Sequence, residues 1–291
     1  MAKKEEKKET KEEAKEEVKE EVKEEIESDD SEEVSIEVEK DVMKEVPTEE
    51  TVELPKSTFD VAAWDPKTDV GRKVKSGELS NIDEILDKGI KIFETPVVDV
   101  LIPDIESDLL LIGQAKGKFG GGQRRVFRQT QKKTREGNKP KFGTAAVVGN
   151  HNGYVGVGFG KSKETVPARE KAIRNAKLNV FKIKRGCGSW QCGCGEPHSI
   201  PFTVAGKCGS VEIKLIPAPK GKGLCVESEC GKMLKFAGVN DVWARTKGQT
   251  GSKVNLIKAC EKALRNLTEI KIKQDQVEKL GIVEGRIKKN E

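Results

Sequence analysis

Apolar positions change their spacing several times along the chain, and each change marks a boundary. Over residues 1–53 they form no regular stripe. Runs such as KKEEKKETKEEAKEE place Glu and Lys at i, i+4 without a face to dock, which predicts disorder or a lone helix. Residues 54–112 are mixed: a Trp64-Asp65-Pro66 turn, a basic GRKVKSG loop and a short helix over residues 81–88 predict an ordered lead-in. Its end, ETPVVDVLIPDIESDLLLIG, combines apolar pairs with two prolines, which predicts extended chain laid across the core as a clamp.

Residues 113–141 turn basic and glycine-rich, with Glu136 as their one acid, and predict a basic loop or hairpin. Two apolar runs then flank Asn150-His151-Asn152-Gly153, which is turn chemistry between paired strands. Thr165-Val166-Pro167 opens a predicted helix that runs to about Phe181. Along it Ala168, Ala172, Ala176 and Val180 recur every four residues, small enough to sit close on a sheet. Beyond a Cys-rich turn, residues 200–208 and 211–216 predict a second hairpin, followed by the PAPKGKG loop, a helix over 228–237 and a strand over 241–246. A last helix over 254–267 places Leu256, Cys260, Ala263, Leu264 and Leu267 on one face. The charged stretch after Thr268 is expected to be peripheral. The expected organisation is therefore an acidic tail (1–53), a lead-in (54–112), a first domain (113–186), a Cys-rich connector (187–198), a second domain (199–268) and a charged tail (269–291).

Charge sharpens this division. The whole chain carries +5, but residues 1–53 hold 10 lysines against 23 acidic residues, a net of −13, so the remainder carries +18. A surplus of that size suits a polyanion, because each cation that neutralises a phosphate releases counterions. The main candidates are the cations of the basic stretch, Lys116, Lys118, Arg124, Arg125, Arg128, Lys132, Lys133, Arg135, Lys139 and Lys141, which repel one another with almost no acid nearby. Lys161 and Lys163, at the end of the glycine-rich strand, join them. No run of about 18 apolar residues occurs and the N-terminus has no apolar signal core, so neither a membrane nor secretion is expected. For a cytoplasmic protein the seven cysteines are expected as thiols or metal ligands rather than disulfides.

Several nucleotide-site readings fail on spacing. A phosphate-binding loop through Gly160-Lys161-Ser162 would need glycine where Val155 stands, and a dinucleotide fingerprint would need a third glycine where Lys161 or Lys163 stands. The glycines at 153, 156, 158 and 160 are better read as permitting close approach of another backbone, RNA included. Lys141-Phe142-Gly143-Thr144 has the wrong order for a sheet-type RNA-recognition motif. What remains, a basic hairpin feeding a sheet crossed by one helix, is akin to domains that read the shape and phosphates of double-stranded RNA. Lys220 and Lys222, in the loop from Pro217 to Leu224, could cradle phosphate at the next helix start. That loop has a faint likeness to those of sugar and mevalonate kinases, but Cys225-Val226-Glu227-Ser228 stands where a Ser-Ser-Ala-like stretch is required, and Glu227 and Glu229 repel phosphate. The two histidines have no visible partners for nucleophilic or acid–base catalysis, so no enzyme is expected. Cys187, Cys192, Cys194 and His198 gather four soft groups in twelve residues, the number a tetrahedral zinc site requires. Their spacing departs from CxxC pairs, and the single residue between Cys192 and Cys194 is tight, so zinc and free thiols both stay open.

Three stretches, VVGNHNGYVGVGFGKSKETVPAREKAIRNAKLN, RGCGSWQCGCGEPHSIPFTVAGKCGSVEIKLIPAPKGKGL and FAGVNDVWARTKGQTGSKVNLIKACEKAL, closely resemble the small-subunit ribosomal protein five family. The likeness spans about residues 60–270 in one order, and the WDPKTDVGRKVKSG, RGCGSW and PHSIPF runs point to its archaeal and eukaryotic branch. The resemblance implies an α+β architecture: a double-stranded-RNA-binding-like domain followed by a C-terminal domain with a left-handed βαβ crossover. It implies scaffolding on small-subunit rRNA, a place on the ribosome at the messenger-RNA entry channel beside ribosomal proteins three and four, and support of decoding accuracy. Carried over by position, the family's basic loop falls on Arg128-Gln129-Thr130 through Phe142, which adds Gln129 to the candidate contacts. Here the chain departs from the pattern. Gly137-Asn138-Lys139-Pro140 replaces a Gly-Arg-Arg-like step, and an additional AKGKFGGGQRRVF stretch precedes it. A stand-alone RNA-binding factor is the alternative.

Overall fold

The computed structural model describes residues 64–117 and 123–286; the acidic tail at 1–53 lies outside them. The lead-in folds as three short helices, α1 (Asp69–Lys75), α2 (Ile82–Asp87) and α3 (Thr95–Leu101). The Thr68 hydroxyl caps α1 by accepting the Gly71 N–H at 3.2 Å, and α2 buries Ile82 and Ile85. Helix α3 corrects the expectation of extended chain over residues 94–112. Pro96 falls in its first turn, where an N–H has no helical acceptor, so this proline starts a helix instead of breaking one. Only past Pro103 does the chain extend, as β1 (Glu106–Leu110), and this strand joins the first sheet.

That sheet is antiparallel throughout: β2 (Arg128–Thr134), β3 (Gly137–Gly149), β4 (Tyr154–Ser162) and β5 (Val180–Lys182) complete it, with β1 and β2 both pairing with β3. The predicted turn between β3 and β4 is built from Asn150, whose side-chain oxygen accepts the Asn152 and Tyr154 N–H groups, with His151 and Gly153 at positive φ. Helix α4 (Thr165–Leu178) crosses the sheet and ends before Phe181, because the chain is recruited at Val180 into β5. Strand alternation divides the sheet's apolar residues. Ala146 and Val148 face α4, while Ala145, Val147, Val155 and Val157 enter a core shared with the second half of the molecule.

The second half begins with the short β6 (Lys184–Arg185). Its sheet is β7 (Val204–Cys208), β8 (Val211–Pro217), β9 (Leu224–Cys225) and β10 (Val242–Lys247), in the order β7-β8-β10-β9. Strands β9 and β10 are parallel neighbours linked through α5 (Ser228–Phe236), which is the βαβ unit that the resemblance implies. Helix α6 (Lys253–Glu269) buries all five residues of its predicted face, together with Ile257 and Ala259. The segment after Thr268, expected to be peripheral, instead returns across the molecule. It forms α7 (Gln274–Leu280) and β11 (Val283–Glu284), and β11 pairs with β6. Its charge pattern conceals the docking, because what holds it is backbone: Cys187 N–H to Leu280 O at 2.8 Å and Gly285 N–H to Ile183 O at 3.2 Å. The buried Arg185 side chain joins three segments there. It donates to Asn152 Oδ1 at 2.6 Å, Gly285 O at 3.2 Å and Gly238 O at 3.3 Å.

Candidate RNA-binding hairpin and metal centre

The β2–β3 ribbon runs past the end of β4: residues 137–141 of β3 pair only with β2. Register decides what each of its faces presents, since residues two apart share a face and direct partners face together. Lys132 lies opposite Lys139, Thr130 opposite Lys141 and Arg128 opposite Gly143. Arg128, Lys132, Lys139 and Lys141 therefore share one face, and all four are exposed. Lys133, Gln129 and Gln131 share the other face, with Lys133 opposite Asn138. Arg135 sits in the turn beside Glu136, whose carboxylate pairs with Lys139 at 2.5 Å. Like charges placed directly across a ladder destabilise an isolated hairpin, so this face is arranged for an anion brought from outside.

The other candidates disperse. Arg125 is exposed, but Arg124 is half-buried, and its guanidinium is turned onto the carbonyls of Gly113 and Gly251, both at 3.4 Å, in a structural role. Lys116 pairs with the Gln123 side chain at 2.9 Å, and Lys118 lies outside the described residues. Lys161 and Lys163 are exposed at the end of β4, and Lys220 and Lys222 are exposed in the loop after β8. The glycine string is corrected. The backbone that approaches Gly156, Gly158 and Gly160 is that of α4, with added methyls falling 2.1–2.3 Å from backbone atoms of Ala168, Ala172 and Ala176, so the string is internal packing and not an RNA approach. The α5 N-terminus is already filled by protein: the Glu227 carboxylate accepts the Glu229 and Cys230 N–H groups and pairs with Lys253 at 2.6 Å. A phosphate has no place there, which removes the kinase-like reading.

Cys187, Cys192, Cys194 and His198 converge, with their four ligand atoms all within 4.8 Å of one another. Cys192 Sγ is 3.4 Å from Cys194 Sγ and 3.8 Å from His198 Nε2, near the roughly 3.8 Å edge that Zn–S bonds of about 2.3 Å give a tetrahedron. The tight Cys192-x-Cys194 spacing falls in an irregular loop that holds Gly193 and Gly195, the latter at positive φ. Cys187 is buried and Cys194 exposed, so the cluster lies at the surface with one wall inside. The Lys220 N–H, the Cys194 N–H and the Cys194 thiol lower the Cys192 thiol to about 6, while burial and the neighbouring thiols raise Cys187. His198 Nδ1 meets Asp241 Oδ2 at 2.9 Å, with both side chains almost fully buried. The carboxylate accepts, so Nδ1 donates and Nε2 is the ring atom that faces the sulfurs, the placement of metal-bound histidines held by a carboxylate. Sequence reading missed Asp241, which lies 43 residues from His198 with no local pattern to mark it. The cluster could hold a metal ion.

Among the described residues, no helix is long and apolar enough to cross a membrane. The profile of "Ribosomal protein S5, N-terminal domain" matches residues 126–184, and that of "Ribosomal protein S5, C-terminal domain" matches residues 206–279. The chain is 46% identical over 232 residues to "Small ribosomal subunit protein uS5" of Methanococcus maripaludis, covering 80% of this chain and 96% of the relative. Proteins of the same name from Nanoarchaeum equitans and Methanocaldococcus jannaschii are each 45% identical, over 78% and 79% of this chain and 98% and 99% of theirs. Strands β2 to β5 with α4, and the βαβ unit, fall within the two matched ranges, and the similarity to archaeal proteins runs through both, so the chain belongs to the ribosomal protein S5 family.

Proposed function

We propose that this chain is a structural, non-enzymatic constituent of the small ribosomal subunit in the cytoplasm, seated on rRNA through the exposed face of the β2–β3 hairpin. The observation that carries this reading is the register that puts Arg128, Lys132, Lys139 and Lys141 together on one projecting face. Arg125, Arg135, Lys161 and Lys163 extend the contact as exposed cations around it. In keeping with its family, the chain lines the messenger-RNA entry channel, neighbours ribosomal proteins three and four, and supports decoding accuracy through that placement. The Cys187–His198 cluster holds zinc: three thiolates and one imidazole suit a tetrahedral, borderline-soft ion, and four protein ligands leave no open position for catalysis. Bound there, the ion supplies a cross-link between segments and no reaction.

The test is a salt titration of binding to small-subunit rRNA, alongside sedimentation. Changing Arg128, Lys132, Lys139 and Lys141 together to Ala is expected to flatten the log–log salt slope by about 3 units, at roughly 0.7–0.9 per lost phosphate contact, with the melting temperature preserved. An unchanged slope refutes the hairpin assignment, and a wild-type chain that stays at the top of a gradient at physiological salt refutes the ribosomal one. Metal analysis of the purified chain beside Cys192→Ser tests zinc. One equivalent in the first and a clear loss in the second are expected, and substoichiometric zinc in carefully prepared wild-type material ends that assignment.

A further inference from the structure

Trp190 is 88% exposed, more than any other large apolar side chain among the described residues. Its support is nevertheless fixed. It lies between the cluster residues Cys187 and Cys192, at the apex of a turn closed by the Cys192 N–H on Ser189 O at 3.2 Å. Ser189 is buried, and a methyl on Gly188 would fall 2.0 Å from Pro201 O, so the segment leading into the turn is packed against the backbone at Pro201. Plain surface chemistry gives no reason to hold an indole in water on so rigid a mount.

A second turn stands beside the first. The Lys222 N–H closes on Pro219 O at 3.3 Å, which places Lys220 and Gly221 at its apex. Both turns are anchored to one cluster. Asp241, which holds His198 through Oδ2, accepts the Gly223 N–H at 2.7 Å through Oδ1, and Lys220 pairs with Glu196, two residues before His198. Lys220 and Lys222 are exposed; Lys220 reaches Glu196 at 2.5 Å in a solvent-facing pair that screening keeps weak.

We propose that the cluster and its ion form a knuckle that presents Trp190 as a stacking platform for an unpaired rRNA base, with Lys220 and Lys222 holding the adjoining phosphates. This rests on the rRNA and zinc readings above and names the contact that the metal loop makes. An indole loses little side-chain freedom when a base settles on it, every base offers a π face, and the flanking cations match the backbone that must accompany the base. The +18 carried beyond residue 53 favours RNA over a protein partner at this surface.

The experiment uses the full-length chain, transcribed small-subunit rRNA, and Trp190→Ala, Trp190→Leu and Trp190→Phe variants whose metal content is measured in parallel. Expected are a loss of affinity of about tenfold to a hundredfold for Ala and Leu, most of it restored by Phe, and an unchanged salt slope, since indole neutralises no phosphate. Wild-type tryptophan emission should be quenched by the rRNA, and the Phe variant, which retains Trp64 and Trp243, should lose that quenching. Wild-type affinity in all three variants with metal retained, or quenching that persists without Trp190, overturns the platform and leaves the hairpin and zinc readings standing. A wild-type chain that ignores the rRNA overturns the platform together with its parent reading, and a wild-type chain without zinc overturns the ion-held knuckle together with the zinc reading while leaving the hairpin reading standing.

Discussion

Gly158→Ala tests the close seat of α4 on the first sheet. An added methyl would lie 2.1 Å from the Ala176 amide nitrogen and 2.3 Å from the Ala172 carbonyl oxygen, both rigid backbone atoms. Ordinary contact needs about 3.5 Å, so the helix must lift by more than ~1 Å. A gap of that size forfeits roughly a quarter to a half of each dispersion contact between the Ala172 and Ala176 stripe and Ala146 and Val148 beneath it. Opposing this, a glycine replaced at an unstrained φ stabilises by about 0.4–1 kcal/mol through the unfolded chain. Overpacking dominates, and a net destabilisation of about 2–3 kcal/mol is expected, or roughly 4–12 °C in melting temperature for a body of this size. Gly143→Ala is the matched control. It lies in the neighbouring strand, its nearest contact is 3.8 Å away, and it should be neutral or slightly stabilising. Thermal melts by circular dichroism read both variants. If Gly158→Ala melts at or above wild type, the argument from backbone contact fails.

Arg185→Lys keeps the charge but cannot donate together to Asn152, Gly238 and Gly285, so a loss of about 2–4 kcal/mol is expected, with faster amide exchange over residues 283–285; unchanged exchange would contradict the hub role. Burial works to raise the Glu94 carboxyl, but the Thr68 and Lys67 N–H groups and the Trp64 indole outweigh it and hold the group below its ordinary value. A depressed carboxylate contributes stability that is present above its unfolded value, about 4.3, and lost as pH falls through the folded one, so the lead-in should loosen on acidification below about pH 4. Trp64 fluorescence follows this transition, and Glu94→Gln should remove it; an identical acid profile in that variant would refute the assignment. Glu227→Ala strips the α5 cap and the Lys253 ion pair and should cost about 1–2 kcal/mol in urea melts, with Glu227→Gln recovering part of it; no change from wild type in either variant would show the cap to be idle.

What was legible in the sequence followed from periodicity. The Ala168, Ala172 and Ala176 stripe, the β3–β4 turn and the five-residue face of α6 were readable because burial imposes a repeat on each. Pro96 misled because the same residue breaks a helix from inside and opens one from its first turn, and the letters do not say which. The returning C-terminal segment was unreadable because backbone bonds hold it, and backbone is common to every residue. At the candidate sites, ligand identities were visible in Cys187, Cys192, Cys194 and His198, but Asp241 arrives from β10's edge of the fold and only the tertiary structure brings it in. The basic stretch was obvious as composition, whereas its sidedness needed the pairing register. The close approach at the glycine string was anticipated, but its partner was the chain's own helix.

Strand β11 has a consequence for synthesis. It closes onto β6, at the seam between the two halves, and everything it touches is made before it: the β3–β4 turn through Asn152 and Arg185, and the connector through Leu280 and Cys187. Domains generally fold as they emerge, N-terminal first. Strand β6 and the cysteine loop must therefore wait, with the edge of β6 open to solvent and to other chains, until translation has passed Gly285. Nascent chains arrested short of that residue should expose a sticky seam that the released chain hides.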